Sequence, residues 1–245
     1  MAFRNTYEDI AYADAYAKLE FPGTYFLAYR DLPAILAEHV RGRRALDVGC
    51  GTGRSTRFLR KLGFEAVGID IAGEMIQRAH ALDPAGDYRL VADCDFGQFA
   101  DHSFDLALAV FTFDNIPTRE KKVTLLAEMG RVLKEGGRII NLVSSPEIYR
   151  YEWASFSTKD FPENKRAKCG DRVRIIVTAL EDRRPAVDVI WPDEDYREVY
   201  RCAGLQVVEV RKPLGRADEP FEWVNETTIP PWTIYILGNA GDYYR

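Results

Sequence analysis

Histidine and cysteine are scarce in this chain of 245 residues, which has three of the first and four of the second. His39, His80 and His102 lie far apart in the sequence, so they form no spacing typical of metal ligands. No two cysteines form a C-x-x-C pair, and this spacing favours reduced thiols over disulfides. We therefore expect no metal site and a cytoplasmic location.

Long basic and long apolar runs are also missing. No Lys/Arg cluster exceeds short pairs and the net charge is −5, so the electrostatic footprint of a nucleic-acid-binding protein is absent. No apolar stretch reaches the ~18 residues that cross a membrane. The first residues also lack the apolar core of a secretion signal. We expect a small-molecule partner, with neither nucleic acid nor membrane, and a protein substrate stays open.

The most informative stretch is Ala45–Ser55, an apolar strand followed by three glycines at alternate positions and the start of a helix. Gly49, Gly51 and Gly53 let the main chain turn sharply and approach a ligand closely, next to free N–H groups of the helix. A dinucleotide fingerprint has its third glycine where this chain has Arg54. The spacing, with Asp47 before the turn, therefore favours a nucleoside ligand without a pyrophosphate.

A second signal is the strand Phe64–Asp70, which ends in a carboxylate. In a doubly wound sheet this position faces the ligand crevice, where an acid accepts hydrogen bonds from ribose hydroxyl groups. The alternative for Asp70 is a cap for the helix that follows.

Together with Leu90–Asp95, Asp101–Ala107 and Leu133–Ile140, these motifs resemble the class I S-adenosylmethionine-dependent methyltransferases, of the small-molecule, type 11-like group. The resemblance covers roughly residues 40–145. It implies a Rossmann-like α/β fold with seven strands, mostly parallel, helices on both faces and a terminal antiparallel hairpin. It also implies S-adenosyl-L-methionine as cofactor, with S-adenosyl-L-homocysteine as its product, and says little about the methyl acceptor.

Alternation of strands and helices extends from residue 32 to residue 145, with strands expected at 44–48, 65–70, 88–92, 104–111 and 138–143. The rhythm breaks at 146–192, which we interpret as a lid inserted after the fifth strand. A helix and strands 205–211 and 232–238 then complete the sheet. We expect one domain over 1–245, with 1–31 as an N-terminal cover, 32–145 as the cofactor-binding core and 193–245 as the end of the sheet.

The resemblance assigns roles to individual residues. Asp47 and Arg30 are expected at the methionine portion of the cofactor, Asp70 at the ribose, and Asp93 at the adenine amino group. The remaining expected cofactor contacts are Gly49, Cys50, Gly51, Gly53, Ile71, Met75, Cys94 and Val110. Several of these residues also have a structural alternative. Asp47 could cap the loop, Asp93 could be a solvated acid in a turn, and Ile71 and Met75 could pack in the core.

On the acceptor side, Asp114 follows the fourth strand and is our candidate for a general base or an acceptor anchor, with a helix cap as the alternative. Aromatic residues from the variable segments are expected to form an apolar acceptor pocket. They are Tyr25, Tyr29, Phe113, Tyr149, Trp153 and Trp191. Each of these could instead belong to the core.

We therefore expect an enzyme that transfers a methyl group to an oxygen or nitrogen of a small organic acceptor, mainly by aligning the reactants. One alternative is a protein- or RNA-modifying enzyme on the same fold. Another is a non-catalytic cofactor-binding protein, and a nucleotide oxidoreductase is disfavoured by Arg54. The acceptor, the atom that is methylated and the choice between monomer and homodimer stay open.

Overall fold

The computed structural model describes residues 22–243, so the segment 1–21 of the expected N-terminal cover lies outside the described residues. Its ten strands are β1 (Arg44–Val48), β2 (Glu65–Asp70), β3 (Asp87–Leu90), β4 (Phe104–Val110), β5 (Leu133–Ser144), β6 (Phe156–Ser157), β7 (Arg172–Val177), β8 (Ala186–Val189), β9 (Leu205–Arg211) and β10 (Trp232–Asn239). Its α-helices are α1 (Thr24–Arg30), α2 (Leu32–His39), α3 (Arg54–Lys61), α4 (Gly73–Leu82), α5 (Arg119–Val132) and α6 (Asp193–Cys202). Short 3₁₀ helices cover Thr112–Asn115, Pro146–Tyr149, Pro162–Arg166 and Ala240–Tyr243.

Seven strands form one sheet in the order β3-β2-β1-β4-β5-β10-β9. Neighbours among β1 to β5 pair in parallel, whereas β10 is antiparallel to both β5 and β9. This arrangement confirms the expected Rossmann-like class, including the antiparallel strands at the end of the chain. The strand order changes direction at β1, which places the carboxyl ends of β1, β2 and β4 next to one another, where α/β sheets bind ligands.

Apolar side chains cover both faces of this sheet. One face packs against α1, α2 and the insert through residues such as Leu27, Ile35 and Val173. The other packs against α5 and α6 through Leu126, Met129 and other periodic positions. In α5 the side chain of Thr118 caps the first turn by accepting a hydrogen bond from Lys121 N at 3.3 Å. Helices thus cover both faces of the sheet, as is typical of parallel sheets.

The starts of two elements differ by two residues or more from the sequence-based expectation. The helix expected from residue 52 begins at Arg54, because Gly53 adopts a left-handed φ of 83° that no helix continues through. The strand expected from residue 138 begins at Leu133, directly after α5. Leu133 pairs with Phe104, and an irregularity between Phe104 and Leu106 accommodates the extra residues.

The insert contributes its own antiparallel sheet in the order β6-β7-β8. Strands β7 (172–177) and β8 (186–189) lie within the segment 146–192 that we interpret as a lid. This small sheet packs on α1, where the rings of Tyr25 and Phe156 lie 4.8 Å apart between centroids. Within residues 22–243 no helix is long and apolar enough to cross a membrane, and Cys50, Cys94, Cys169 and Cys202 are all unpaired.

One buried carboxylate joins α1, the insert and the connection between β9 and β10. Glu226, which is fully buried, accepts hydrogen bonds from Thr24 Oγ1 at 2.6 Å, from Ala154 N at 2.7 Å and from Val224 N at 2.8 Å. Its fourth donor is Asn225 N at 3.1 Å. Three segments that are distant in sequence therefore share one carboxylate.

We expect Glu226→Gln to lower the free energy of unfolding by about 2–3 kcal/mol, because an amide turns an N–H towards buried donors and loses the charged acceptor. Glu222→Gln, an exposed change in the same connection, is the matched control and should stay within about 0.5 kcal/mol. Urea denaturation measures both. Equal midpoints for the two variants would contradict this role of Glu226.

Candidate functional site: a cleft at the carboxyl edge of the sheet

A cavity of about 440 Å³ lies at the carboxyl ends of β1, β2 and β4. Its walls come from residues 48–52 at the end of β1, residues 69–72 and Met75 at the end of β2, Val91, Asp93, Cys94 and Phe96 after β3, and residues 110–112, Asn115 and Ile116 at the end of β4. Tyr29, Arg54, Ser55 and Leu125 complete it. The volume falls within the 300–1,000 Å³ typical of small-molecule sites.

The three glycines of the loop after β1 serve different purposes. All have a left-handed φ, of 70° at Gly49, 53° at Gly51 and 83° at Gly53. A Cβ at Gly49 would lie 2.4 Å from Thr112 Cγ2, and one at Gly53 would lie 2.6 Å from the Tyr88 ring. A Cβ at Gly51 would meet no atom within 4 Å. Gly49 and Gly53 therefore permit internal packing, whereas Gly51 leaves open space beside the cavity.

Asp70 links the ends of β1 and β2. Its Oδ2 accepts a hydrogen bond from Gly51 N and its Oδ1 accepts one from Ala72 N, both at 2.9 Å. Burial raises the pKa of the Asp70 carboxyl above its ordinary value. Since a carboxylate has about four acceptor positions, the side chain can still accept two hydrogen bonds from a ligand in the cavity.

Asp47 lies beneath the loop rather than on the cavity. The side chain is fully buried, and Oδ2 accepts hydrogen bonds from Ser55 Oγ and Thr56 Oγ1, each at 2.6 Å. Burial raises the pKa of the Asp47 carboxyl to about 6. This geometry is that of a cap between β1 and α3. Contact with the methionine portion of a cofactor stays a prediction, and the geometry favours the structural alternative.

The loop after β3 places Asp93 and Cys94 on the cavity wall opposite β1. Asp93 forms an ion pair with Lys121, which holds the pKa of its carboxyl below the usual range. Cys94 has a left-handed φ of 57°, an uncommon conformation for a residue other than glycine. Ile71, which is 62% exposed, and Met75 supply apolar surface on the same side. This corner suits a planar heterocycle with a polar edge.

The segment after β4 closes the cleft on its other side. Val110 and Phe111 line it, and Phe111 adopts a left-handed φ of 60° that is strained for an aromatic residue. Thr112 Oγ1 donates a hydrogen bond to Val48 O at 2.7 Å, which ties this segment to β1. Asn115 Oδ1 is buried and has no hydrogen-bond partner among the described residues.

A second, smaller pocket of about 30 Å³ adjoins the first, and Phe111 and Asn115 line both. Its polar side chains are Asp114, Ser144, Tyr149 and Asp188, and its aromatic walls include Tyr25, Phe156 and Trp232. Asp114 accepts hydrogen bonds from Ser144 N at 3.1 Å and from Ser144 Oγ at 2.8 Å. Asp188 accepts one from Tyr149 Oη at 3.0 Å.

Most of the predicted site residues line one of the two cavities. Gly49, Cys50, Gly51, Asp70, Ile71, Met75, Asp93, Cys94, Val110 and Tyr29 line the larger cavity, and Asp114, Tyr25 and Tyr149 line the smaller one.

Besides Asp47, five predicted residues line neither cavity. Arg30 is held by Asp31 at 2.8 Å and by Glu219 at 2.6 Å, and these ion pairs do not support its predicted contact with a methionine carboxylate. Gly53 packs on Tyr88, and Phe113 is fully buried. Trp153 donates its indole N–H to Ile148 O at 2.8 Å. The Trp191 ring lies 4.8 Å from Lys122 Nζ.

Sequence reasoning did not single out Phe111, Asn115, Asp188 or Trp232, which the fold brings to the smaller pocket. One signal was present for Asp188, since it is an acid at the centre of an otherwise apolar strand. Such a residue is rarely buried without a partner. Trp232 gave no comparable signal, because tryptophan at the start of a strand is typical of an ordinary core.

Residues 46–141 match a family model described as a methyltransferase domain. The chain is 35% identical to demethylmenaquinone methyltransferase of Renibacterium salmoninarum over 159 residues. These residues cover 64% of this chain and 63% of that protein. It is 29% identical over 138 residues to ubiquinone biosynthesis O-methyltransferase of Nitrosococcus oceani, 51% of this chain and 57% of that protein. The chain thus spans less than two thirds of these relatives.

Solved structures extend the similarity to the whole fold. An S-adenosylmethionine-dependent methyltransferase from Clostridium acetobutylicum superposes with a TM-score of 0.62, at 14% identity, over 96% of both chains. One from Mesorhizobium loti reaches 0.61 at 20% identity, over 86% of this chain and 97% of the other. With the family match over residues 46–141 and the glycine loop, the shared fold supports a class I S-adenosylmethionine-dependent methyltransferase domain in this chain.

Proposed function

We propose that this protein transfers the methyl group of S-adenosylmethionine to an oxygen or nitrogen of a small organic acceptor. The observation that carries the proposal is the larger cavity, where the free acceptor positions of Asp70 lie beside the open space at Gly51. The cytoplasmic location expected from the sequence is part of the same proposal. Relatives named for quinone methylation support a small acceptor and do not specify which one.

The residues present fit an adenosyl ligand. Asp70 would accept hydrogen bonds from both ribose hydroxyl groups, and Ile71 and Met75 would cover the adenine, with Asp93 and the Cys94 main chain at its polar edge. The main chain of Gly49 to Thr52 would face the methionine portion. When bound, this cofactor supplies an electrophilic methyl group on a sulfonium, which is a good leaving group.

The protein's own contribution would be alignment of the acceptor and exclusion of water. Phe111 and Asn115 line both cavities. An acceptor bound in the smaller pocket would therefore extend past these two residues into the larger cavity. Residues 146–192 supply Tyr149, Phe156 and Asp188 to the smaller pocket, which supports their role as a lid over the acceptor. Asp114 lines this smaller pocket and is held by Ser144, a geometry that favours an acceptor anchor over a general base.

Calorimetric titration tests the proposed cofactor directly. S-adenosylmethionine and S-adenosylhomocysteine should bind one site per chain, and NAD should not bind. Transfer of a radiolabelled methyl group to a panel of amines, phenols and acids then tests turnover. Cofactor binding without transfer to any acceptor class would favour the non-catalytic alternative, and binding of NAD alone would favour the oxidoreductase.

We expect Asp70→Asn to weaken S-adenosylhomocysteine binding about 10- to 150-fold, because a hydrogen bond to a charged group is worth about 1.5–3 kcal/mol. Asp95→Asn is the matched control. Asp95 also accepts a backbone hydrogen bond, from Gly97 N at 2.8 Å, yet it does not line the cavity. Equal affinities of the two variants in calorimetry would remove Asp70 from the cofactor site.

Gly51→Ala should reduce cofactor affinity because its new methyl group occupies open space beside the cavity. Gly136→Ala separates this effect from backbone strain, since Gly136 also has a left-handed φ, of 72°, and also leaves a Cβ with no atom within 4 Å. Both variants should lose about 1–2 kcal/mol of stability. Only Gly51→Ala should lose binding, and unchanged affinity there would place the ligand elsewhere.

If Asp114 anchors the acceptor, Asp114→Asn should raise KM for an acceptor found in the panel. The decrease in kcat should be smaller than ~100-fold, which is the least that loss of a general base typically causes. The measurement is a steady-state comparison of both constants with those of the unaltered enzyme. A loss in kcat of ~100-fold or more at unchanged KM would instead assign Asp114 as the base.

A further inference from the structure

The smaller pocket contains more buried negative than positive charge. Asp114 and Asp188 are 4% and 8% exposed, respectively, and both line it. Among the described residues, Lys122 is the cation that acts on both carboxylates. When both acids are ionised, two carboxylates and one ammonium leave one negative charge without a counterion in an apolar surrounding, which is costly.

Lys122 does not itself fill the pocket. It is fully buried, donates a hydrogen bond to Phe113 O, and lies 4.8 Å and 5.3 Å from the ring centroids of Trp191 and Tyr196. Burial raises the pKa of both carboxyls and lowers that of Lys122. Without a ligand cation, the cluster is therefore neutral only when an acid retains its proton.

Hydrogen-bond acceptors with spare capacity face the pocket. Asp188 Oδ2 accepts from Tyr149, and no donor contacts Oδ1 among residues 22–243. Asn115 Oδ1 is buried and also lacks a partner there. The hydroxyl groups of Ser144 and Tyr149 are already donated to Asp114 and Asp188. The pocket thus offers acceptors to a ligand that brings donors, and it disfavours carboxylates and phosphates.

Aromatic rings form much of the remaining wall, together with the aliphatic side chains of Ile148, Ile175, Val177 and Ala186. Phe111 and Trp232 lie 4.7 Å apart, Tyr25 and Trp232 lie 6.0 Å apart, and Phe156 packs on both Tyr25 and Trp232. The faces of such rings carry partial negative charge and attract cations within about 6 Å of their centroids. Carboxylates and ring faces therefore both favour a cationic group.

The volume limits the size of that group. A pocket of about 30 Å³ exceeds the ~10–15 Å³ that one water needs, yet it is far too small for a whole metabolite. It suits a primary or methylated ammonium head, while the rest of the molecule would extend past Phe111 and Asn115 into the larger cavity.

We propose that the smaller pocket is a cation subsite, in which Asp114, Asp188 and the surrounding rings bind the ammonium group of an amine-bearing acceptor. As a statement about the acceptor, this rests on the proposed methyl transfer, whereas cation binding itself does not. A nitrogen held as an ammonium is not nucleophilic, so this group anchors the acceptor and another atom of the same molecule receives the methyl group.

Methylammonium chloride is the probe, titrated without cofactor and followed by saturation-transfer NMR from the aromatic protons of the protein. Methanol is the uncharged counterpart, and potassium chloride controls for ionic strength. We expect saturation of the methylammonium methyl protons and not of methanol. Equal transfer to both probes, or to neither, would overturn the cation subsite.

The matched variants are Asp188→Asn and Asp160→Asn, both in the insert, with Asp160 exposed. Asp188→Asn should weaken methylammonium binding by at least ~10-fold through loss of a charged partner, and Asp160→Asn should leave it unchanged. Equal affinity in the two variants would contradict the assignment.

A measurement on the unaltered protein serves if Asp188→Asn fails to fold. Binding should strengthen from about pH 6 to about pH 8, because the proton held by Asp114 or Asp188 must leave while methylammonium stays charged. Lys122, Tyr149 and Tyr196 are other titratable groups that interact with these acids. A pH-independent affinity would contradict the proposal. Calorimetry with S-adenosylhomocysteine on the same sample distinguishes the two proposals, since normal cofactor binding without a methylammonium site would overturn only the cation subsite.

Discussion

The position of β1 between two parallel neighbours is the constraint on which the rest of the site depends. Because β2 and β4 both pair with β1 in parallel, the chain leaves three adjacent strands at the same edge. The main chain after β1 must turn away sharply there, which the left-handed glycines permit. Asp70 and Thr112 then fasten this turn from the two neighbouring strands, through Gly51 N and Val48 O. The cleft is a consequence of this pairing.

Buried charge distinguishes the two halves of the cleft. Beside the larger cavity, two hydroxyl groups donate to Oδ2 of Asp47 and two backbone amides donate to Asp70. These hydrogen bonds offset part of the desolvation cost of the two carboxylates. On the other side, Asp114 and Asp188 share a single ammonium, and their donors come from Ser144 and Tyr149. A fold selected only for stability would gain by replacing such a cluster with apolar residues. A ligand that brings a positive charge, as proposed above, would offset the cost of this cluster.

The sequence predicts the lining of the larger cavity far better than that of the smaller pocket, for a physical reason. The glycine loop, Asp70 and Asp93 each follow a strand directly, so their place at one edge follows from local motifs and parallel topology. The smaller pocket is assembled from α1, the 3₁₀ turn after β4, the insert and β10. Tyr25 and Trp232 lie 6.0 Å apart although 207 residues separate them in the chain, and no local pattern encodes that contact. The motif also assigns Asp47 and Gly53 to the cofactor, and these contacts stay predictions. In the fold, Asp47 accepts hydrogen bonds from Ser55 and Thr56, and Gly53 packs on Tyr88.

The most direct test of the account is a crystal structure of the protein with S-adenosylhomocysteine. The account predicts that the adenosyl group occupies the larger cavity, with both ribose hydroxyl groups within hydrogen-bond distance of Asp70 and the sulfur directed towards Phe111 and Asn115. A ligand bound elsewhere, or one that leaves Asp70 without a contact to the ribose, would contradict it.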